Sequence, residues 1–379
     1  MPWVYLILPA ALVWLGILVL PYAPWRVREV LDAEAEPAAP DLSDVTALIP
    51  ARNEAETIGQ TLNALAAQGQ GLTMVVVDDQ SGDRTVEIAR NTTAHGLRVV
   101  PGRPLPAGWS GKLWALEQGR PYLSSRLTLL MDADIELQPG ALAALRAKLE
   151  RDRLHFLSLM ASLRMQTFWE RLLMPAFIYF FKLVYPFRLA NDPGCRKIAA
   201  AAGGCILLET RLIDEIGGFQ ALRGALIDDC ELARRVKALG YRTWVGLTHS
   251  VRSLRCYDEL AAIWNMVARS AFTQLRYSTL LLLACTGIFM IAFWLPIVGC
   301  VFPNTLARWI AVMTLVAMML SYLPTLRFYG LSGGWAVALP LIGTLYLAMT
   351  WTSAVRYWRG KRSRWKGRVY SRTLDSSKH

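Results

Sequence analysis

Hydrophobic positions along the chain fall into three regimes. Near the N-terminus, Trp3 to Tyr22 is almost uncharged over about the length that spans a bilayer. From Val45 to about Arg255, apolar residues come in short runs separated by polar stretches of helical period. Farther on, Thr279 to Phe302, Trp309 to Leu326 and Trp335 to Tyr357 are again long and apolar. The middle regime reads as strands alternating with helices. VTALI (45–49), TMVVV (73–77), LRVV (97–100) and LTLLM (127–131) have the continuous apolar character of strands covered on both faces. Between them, Ile58, Leu62 and Leu65 share one helical face. Val86, Ile88 and Ala89 mark a second helix, and Leu113 to Gly119 a third. Asn53 ahead of Glu54 and Glu56, and Asp83 ahead of Val86, supply N-cap chemistry. The pattern predicts an α/β domain with a mostly parallel, Rossmann-like sheet flanked by helices, plus membrane-embedded helices at both termini.

The expected boundaries follow from these shifts. Residues 1–24 form an anchor and 25–44 a linker rich in Ala, Pro and acid. Residues 45–277 form the α/β domain, 278–358 the C-terminal membrane helices and 359–379 a basic tail. Within the domain, Phe168 to Phe187 is aromatic and apolar yet carries Glu170, Arg171 and Lys182. That suits a helix lying in a membrane interface, with a core helix as the alternative.

Composition sharpens the membrane reading. Apolar residues make up 54% of the chain and mean hydropathy is +0.30, with the excess at the two ends. No basic region precedes the first run and no small-x-small site leads out of it, so a retained anchor is expected. The net charge of +12 does not point to nucleic acid. Arg26 and Arg28 follow the first run, and Arg356, Arg359, Lys361, Arg362, Arg364, Lys366, Arg368 and Arg372 follow the last. Basic residues beside spans read as cytoplasmic flanks near anionic lipid, or as a solvated tail. With domain and tail both on the cytoplasmic side of the membrane, the crossings between them are expected to be even in number. Thr279 to Phe302, interrupted by Pro296, is the expected re-entrant or interfacial segment. Six cysteines without C-x-x-C spacing indicate neither a zinc site nor a disulfide framework.

Candidate chemistry clusters at strand ends, where an open α/β sheet binds ligands. Arg52, Asn53 and Glu54 follow the first strand, Asp78 and Asp79 end the second, and Asp132 and Asp134 end the strand from Leu127. The Asp132–Asp134 pair suits Mg²⁺ or Mn²⁺ with a diphosphate completing the shell, although an isolated D-x-D is also a common turn pair. A carboxylate at Asp78 or Asp79 can accept from a uracil N–H or a ribose hydroxyl, or cap the next helix. Lys112, between glycines, can steady a diphosphate or be a surface lysine. Gly203 and Gly204 permit close approach to a sugar or acceptor, or form a plain turn. Asp228 and Asp229 open a helix, where an acid can act as a base or only cap. Arg269 can meet a leaving diphosphate, a lipid headgroup or nothing but a membrane flank.

PARNEAETI, VVVDDQSGD, GWSGKLWA, LLMDADIELQPG, GGCILLE and LIDDCELARRVKALGY occur in this order. The set resembles family 2 glycosyltransferases, inverting enzymes with the GT-A fold, over about Val45 to Tyr277. GWSGKLWA, the terminal anchors and the RWKGRVY tail look most like the bacterial hopene-associated glycosyltransferases, near ceramide glucosyltransferase-like enzymes. The resemblance implies that Pro50, Arg52 and Glu54 line a nucleotide pocket and that Asp79 contacts the base. It makes Asp132 and Asp134 the D-x-D, with Asp134 the metal ligand, and Asp229 the catalytic base, with Asp228 replacing the usual glutamate. It implies a nucleotide-diphospho-sugar donor, with UDP the expected nucleotide, a lipid acceptor and a divalent metal. Arg269 lies where the Q-x-x-R-W motif of processive relatives is expected, but the Gln and Trp are out of register. A processive polysaccharide synthase and a non-catalytic lipid-binding protein are the rival readings. The first lacks that motif, and the second is disfavoured by an intact D-x-D and base.

Overall fold

The computed structural model describes residues 2–34, 40–92, 94–225 and 227–360, and the backbone of 364–365 and 368–369. The rest of the basic tail expected over 359–379 lies outside the described residues. The chain forms two compact units. Among the described residues, one comprises Glu29–Arg164 and Leu189–Cys256, and the other runs through residues 2–28, Met165–Arg188 and residues 257–360.

The first unit is built on one mixed sheet. Its strands are β1 (Val45–Ala51), β2 (Thr73–Asp78), β3 (Leu97–Pro101), β4 (Leu127–Met131), β5 (Ile135–Leu137), β6 (Phe156–Ser162), β7 (Cys205–Glu209) and β8 (Thr243–Ser253). They lie in the order β3-β2-β1-β4-β7-β6-β8-β5. The β3-β2-β1-β4 half is parallel, as the continuous apolar runs require. In the other half, β7 runs antiparallel to β4 and β6, and β5 antiparallel to β8. The helix Ile58–Ala66 buries Ile58, Leu62 and Leu65 against one face of the sheet. Full burial stabilises the fold by roughly 1.5–3 kcal/mol for each such side chain. The helices Gly111–Gly119 and Asp228–Ala238 cover the opposite face.

Three expectations are revised. Asn53 does not cap the Ile58–Ala66 helix, whose N-cap is Thr57. Asn53 instead has φ +50°; its Oδ1 accepts from Gly82 N–H at 2.8 Å and its own N–H donates to Ser81 Oγ at 3.0 Å. It therefore ties the loop after β1 to the loop after β2. Of the stretch read as a linker over 25–44, the described residues from Glu29 onward belong to the sheet unit. Leu31 N–H donates to Leu247 O at 3.0 Å, Leu247 N–H to Glu29 O at 2.8 Å, and Thr248 Oγ1 to Asp32 Oδ1 at 3.0 Å. One bridge and a side-chain clasp leave no periodic signal in a segment rich in Ala and Pro. The sheet unit also ends at Cys256 rather than near 277, because Leu260–Ala268 and Ala271–Gln274 pack against the helix Leu339–Trp358.

The second unit is helical. Pro2–Val19, Thr279–Gly299, Thr305–Phe328 and Gly333–Trp358 are long and apolar enough to cross a membrane. They expose large apolar side chains such as Leu12, Val19, Leu280 and Trp309. The Thr279–Gly299 segment stays helical through Pro296, because a π turn over Met290–Trp294 precedes it and removes the need for the missing N–H. Phe168–Val184 is a 17-residue helix with Glu170, Tyr179 and Lys182 buried within this unit, while Phe168 and Val184 are exposed. A capping box starts it: Thr167 Oγ1 accepts from Glu170 N–H at 3.3 Å, and Glu170 Oε2 accepts from Thr167 N–H at 3.1 Å.

Candidate active site

β1 lies between β2 on one side and β4 on the other, so the strand order reverses beside it. A crevice opens at such a switch point, at the carboxyl ends of the strands. Pro50, Lys112, Asp132, Gly203, Asp228 and Asp229 all line one cleft there. Its inner wall is apolar, with Leu116, Leu130, Ile206 and Phe219 among its residues. The polar residues that line the cleft are up to 117 positions apart in sequence, yet local chemistry places each one. Ser110 caps the Gly111–Gly119 helix by accepting from Leu113 N–H at 3.3 Å, which sets Lys112 in the first turn. Asp132 follows β4 directly. Asp228 and Asp229 are the first residues of the Asp228–Ala238 helix, where the helix dipole favours carboxylate.

Lys112 is the hub of this cleft. Its Nζ is 2.6 Å from Asp132 Oδ1 and 3.4 Å from Gly203 O. Burial alone would lower its pKa, but Asp132, Asp228 and Asp229 outweigh that and hold it above the ordinary lysine value. Asp229 is shifted in the opposite sense from a typical carboxylate. Burial and the neighbouring Asp228 charge push it up to about 6, against the pull of Lys112 and of the Cys230 and Gly203 N–H groups. Gly203 fits tightly between the two. A Cβ there would meet Lys112 Nζ at 3.0 Å and Asp229 Oδ2 at 3.2 Å. The glycine therefore leaves room for both charged side chains. Gly204 faces Ile135 instead, 3.1 Å from the place its Cβ would take.

Arg52, Glu54, Asp78, Asp79, Asp134 and Arg269 are not among the residues that line this cleft. Asp79 is fully buried, and Arg52 Nη1 is 3.8 Å from its Oδ2. Arg52 also donates to Gln80 O at 3.0 Å and to Asp79 O, which fixes the turn after β2. Asp78 accepts from Ser81 N–H at 3.2–3.3 Å, so its carboxylate shapes that turn. Glu54 and Asp134 share Arg255, a residue the sequence pattern did not single out. Arg255 Nε is 3.1 Å from Asp134 Oδ2 and its Nη2 is 3.5 Å from Glu54 Oε1. Arg255 follows the polar end of β8, where no apolar run advertises a strand end. Arg269 belongs to the helical unit and ends the Leu260–Ala268 helix.

Two part-exposed carboxylates, Asp132 and Asp134, offer hard oxygen donors of the kind Mg²⁺ and Mn²⁺ take. Among the described residues, no group of three or more His, Cys, Asp or Glu side chains assembles. The donor set therefore fits an ion whose shell is completed by diphosphate and water rather than a closed protein cage.

Residues 46–217 match the glycosyl transferase family 2. The chain is similar to that family over this segment, 172 of its 379 residues. The matched segment includes Asp79, Lys112, the D-x-D and Gly203, and stops short of Asp228 and Asp229. The chain is 33% identical over 116 residues to 4,4'-diaponeurosporenoate glycosyltransferase of Staphylococcus haemolyticus, a match covering 31% of each chain. It is 33% identical over 91 residues to the Staphylococcus aureus (strain USA300) enzyme of the same name, covering 24% of each. The match thus spans a third or less of these relatives' length. A solved mannosyltransferase from Pyrobaculum calidifontis, in complex with GDP-Man and Mn²⁺, superposes with TM-score 0.55 at 18% identity, covering 95% of this chain and 100% of that one. That likeness establishes the fold: a GT-A-like mixed α/β sheet with flanking helices.

Proposed function

We propose that the chain moves a sugar, with inversion, from a nucleoside diphosphate sugar to a hydroxyl or carboxylate of a lipid held at the membrane. The observation that carries this reading is the cleft where Lys112, Asp132, Gly203, Asp228 and Asp229 meet. A carboxyl poised near pH 6 is matched to taking a proton at neutral pH. Asp229 takes the acceptor O–H proton as the acceptor oxygen bonds to the anomeric carbon. The bond from that carbon to the diphosphate breaks on the opposite face, and the nucleoside diphosphate leaves with the electron pair. An acceptor already ionised at neutral pH, such as a carboxylate, needs no proton removed, and Asp229 then orients it. Lys112 steadies the leaving diphosphate as a point charge. Asp132 and Asp134 would hold a divalent cation, which when bound supplies further charge neutralisation for the diphosphate. Asp79 and Arg52 would frame the nucleoside.

Support for a lipid acceptor comes from the four apolar helices and from the carotenoid acid in the names of the curated relatives. A hopanoid alcohol, an isoprenoid phosphate and a diglyceride belong to the same class. The test is release of nucleoside diphosphate from UDP- and GDP-sugars by the purified chain with and without a bacterial lipid extract. The reading expects lipid-dependent release with the sugar recovered in the organic phase. Sugar transfer only to water or to a soluble acceptor would overturn the lipid assignment.

A further inference from the structure

The arrangement around Arg255 has no place in the reaction described above. Resting on that reading, we infer that Arg255 is a positioning residue that holds Asp134 until a metal–nucleotide complex arrives, so that cation and donor bind together rather than in sequence. Each acid of the D-x-D already faces a resident cation. Lys112 Nζ is 2.6 Å from Asp132 Oδ1, and Arg255 Nε is 3.1 Å from Asp134 Oδ2. Arg255 also reaches Glu54, the acid just after β1, at 3.5 Å. The backbone fixes this geometry from both sides. Leu254 N–H donates to Asp134 O at 2.8 Å, and Ile135 pairs with Ser253 in the β5–β8 ladder. Arg255 is therefore presented to Asp134 by adjacent backbone, whereas its guanidinium sits at the end of a long side chain that remains one-third exposed.

The physical consequence is a competition. A bare divalent cation seeking Asp134 must displace a guanidinium and approach two fixed positive charges. A cation arriving with a diphosphate brings the negative charge that both displaced groups can take up. Arg255, planar and rich in donors, suits phosphate oxygens as well as carboxylate. The two binding events are then coupled through one side chain that contacts Asp134 in the empty site and the diphosphate in the filled one.

Calorimetry on the full chain in detergent, with Mn²⁺ alone, UDP or GDP alone, and the two together, tests this. The wild type should bind Mn²⁺ alone weakly and at least tenfold more tightly with the better nucleotide present. Arg255→Gln should bind Mn²⁺ alone several-fold more tightly than the wild type and lose most of the nucleotide-dependent gain. Arg255→Lys, which keeps a charge but not the planar fork, should fall between them. An unfolding midpoint matching the wild type identifies folded variants, and Arg255→Lys carries the test if Arg255→Gln does not fold. Unchanged Mn²⁺ affinity and unchanged coupling in the folded variants overturn the inference while leaving the metal–nucleotide site intact. Absence of Mn²⁺–nucleotide binding in the wild type itself overturns the site reading and this inference with it.

Discussion

Replacing Lys112 by Gln should shift the pH dependence of transfer as well as its rate. Lys112 is the cation closest to the proposed base, and the space beside Gly203 measures the separation. A Cβ on Gly203 would lie 3.0 Å from Lys112 Nζ and 3.2 Å from Asp229 Oδ2. The two charged atoms are therefore within about 6 Å of each other. At that separation and an effective dielectric near 20, their attraction is about 3 kcal/mol, equivalent to about two pKa units. The lysine side chain is 21% exposed, and solvent screening reduces the expected shift to about one unit. The sign follows from the charge. Lys112 stabilises ionised Asp229, so its loss raises a pKa already pushed up to about 6. Only the ionised base accepts a proton, so kcat/KM should fall below about pH 6 in the wild type and below about pH 7 in Lys112→Gln. The assay is label transfer from a nucleotide sugar into the organic phase, at subsaturating donor, from pH 5 to 9. A variant slowed at every pH, with its acidic limb unmoved, would refute the electrostatic link and leave Lys112 as a donor-binding group only.

Gly203→Ala places a methyl group against both Lys112 and Asp229. It should lower kcat/KM by about tenfold or more, with an unfolding midpoint close to wild type. Asp134→Ala should abolish the Mn²⁺ dependence of nucleotide binding, read by calorimetry with and without the metal. Glu170 accepts N–H groups from Gln166 at 2.9 Å, Thr167 at 3.1 Å and Tyr257 at 3.0 Å. Glu170→Ala should therefore cost about 2–4 kcal/mol, seen as a lowered unfolding midpoint in detergent, with Glu170→Gln less damaging.

The legible half of the sheet is the half buried on both faces. β1, β2 and β4 are continuous apolar runs because helices cover them from both sides. β6 and β8 hide behind polar residues that serve the fold. Ser158 in β6 donates to Ala202 O at 3.1 Å and accepts from Ala202 N–H at 2.8 Å. In β8, Thr248 donates to Asp32, and Ser250 accepts from Ala33 N–H at 2.7 Å. The β8 partners lie more than 200 residues away and the β6 partner 44, so neither strand shows a clean period of two. The site divides in the same way. Asp132, Lys112 and Asp229 were legible because each sits where a strand ends or a helix starts, and Gly203 because it lies just before a strand; those junctions leave local signals. Arg255 was not, because its meaning comes from two acids 201 and 121 positions earlier. Asp78 and Asp79 are adjacent in sequence but separate in space: one shapes a turn and the other lies buried beside Arg52.

The most direct test compares Asp229→Asn with the wild type in two readings on the same preparation: affinity for the Mn²⁺–nucleotide complex, and single-turnover transfer to lipid. With an acceptor that must lose a proton, the amide should leave the affinity within a few-fold and slow transfer by about a thousandfold or more. Transfer at the wild-type rate with such an acceptor would contradict the assignment of the base, and with it the claim that this cleft is where the sugar changes hands.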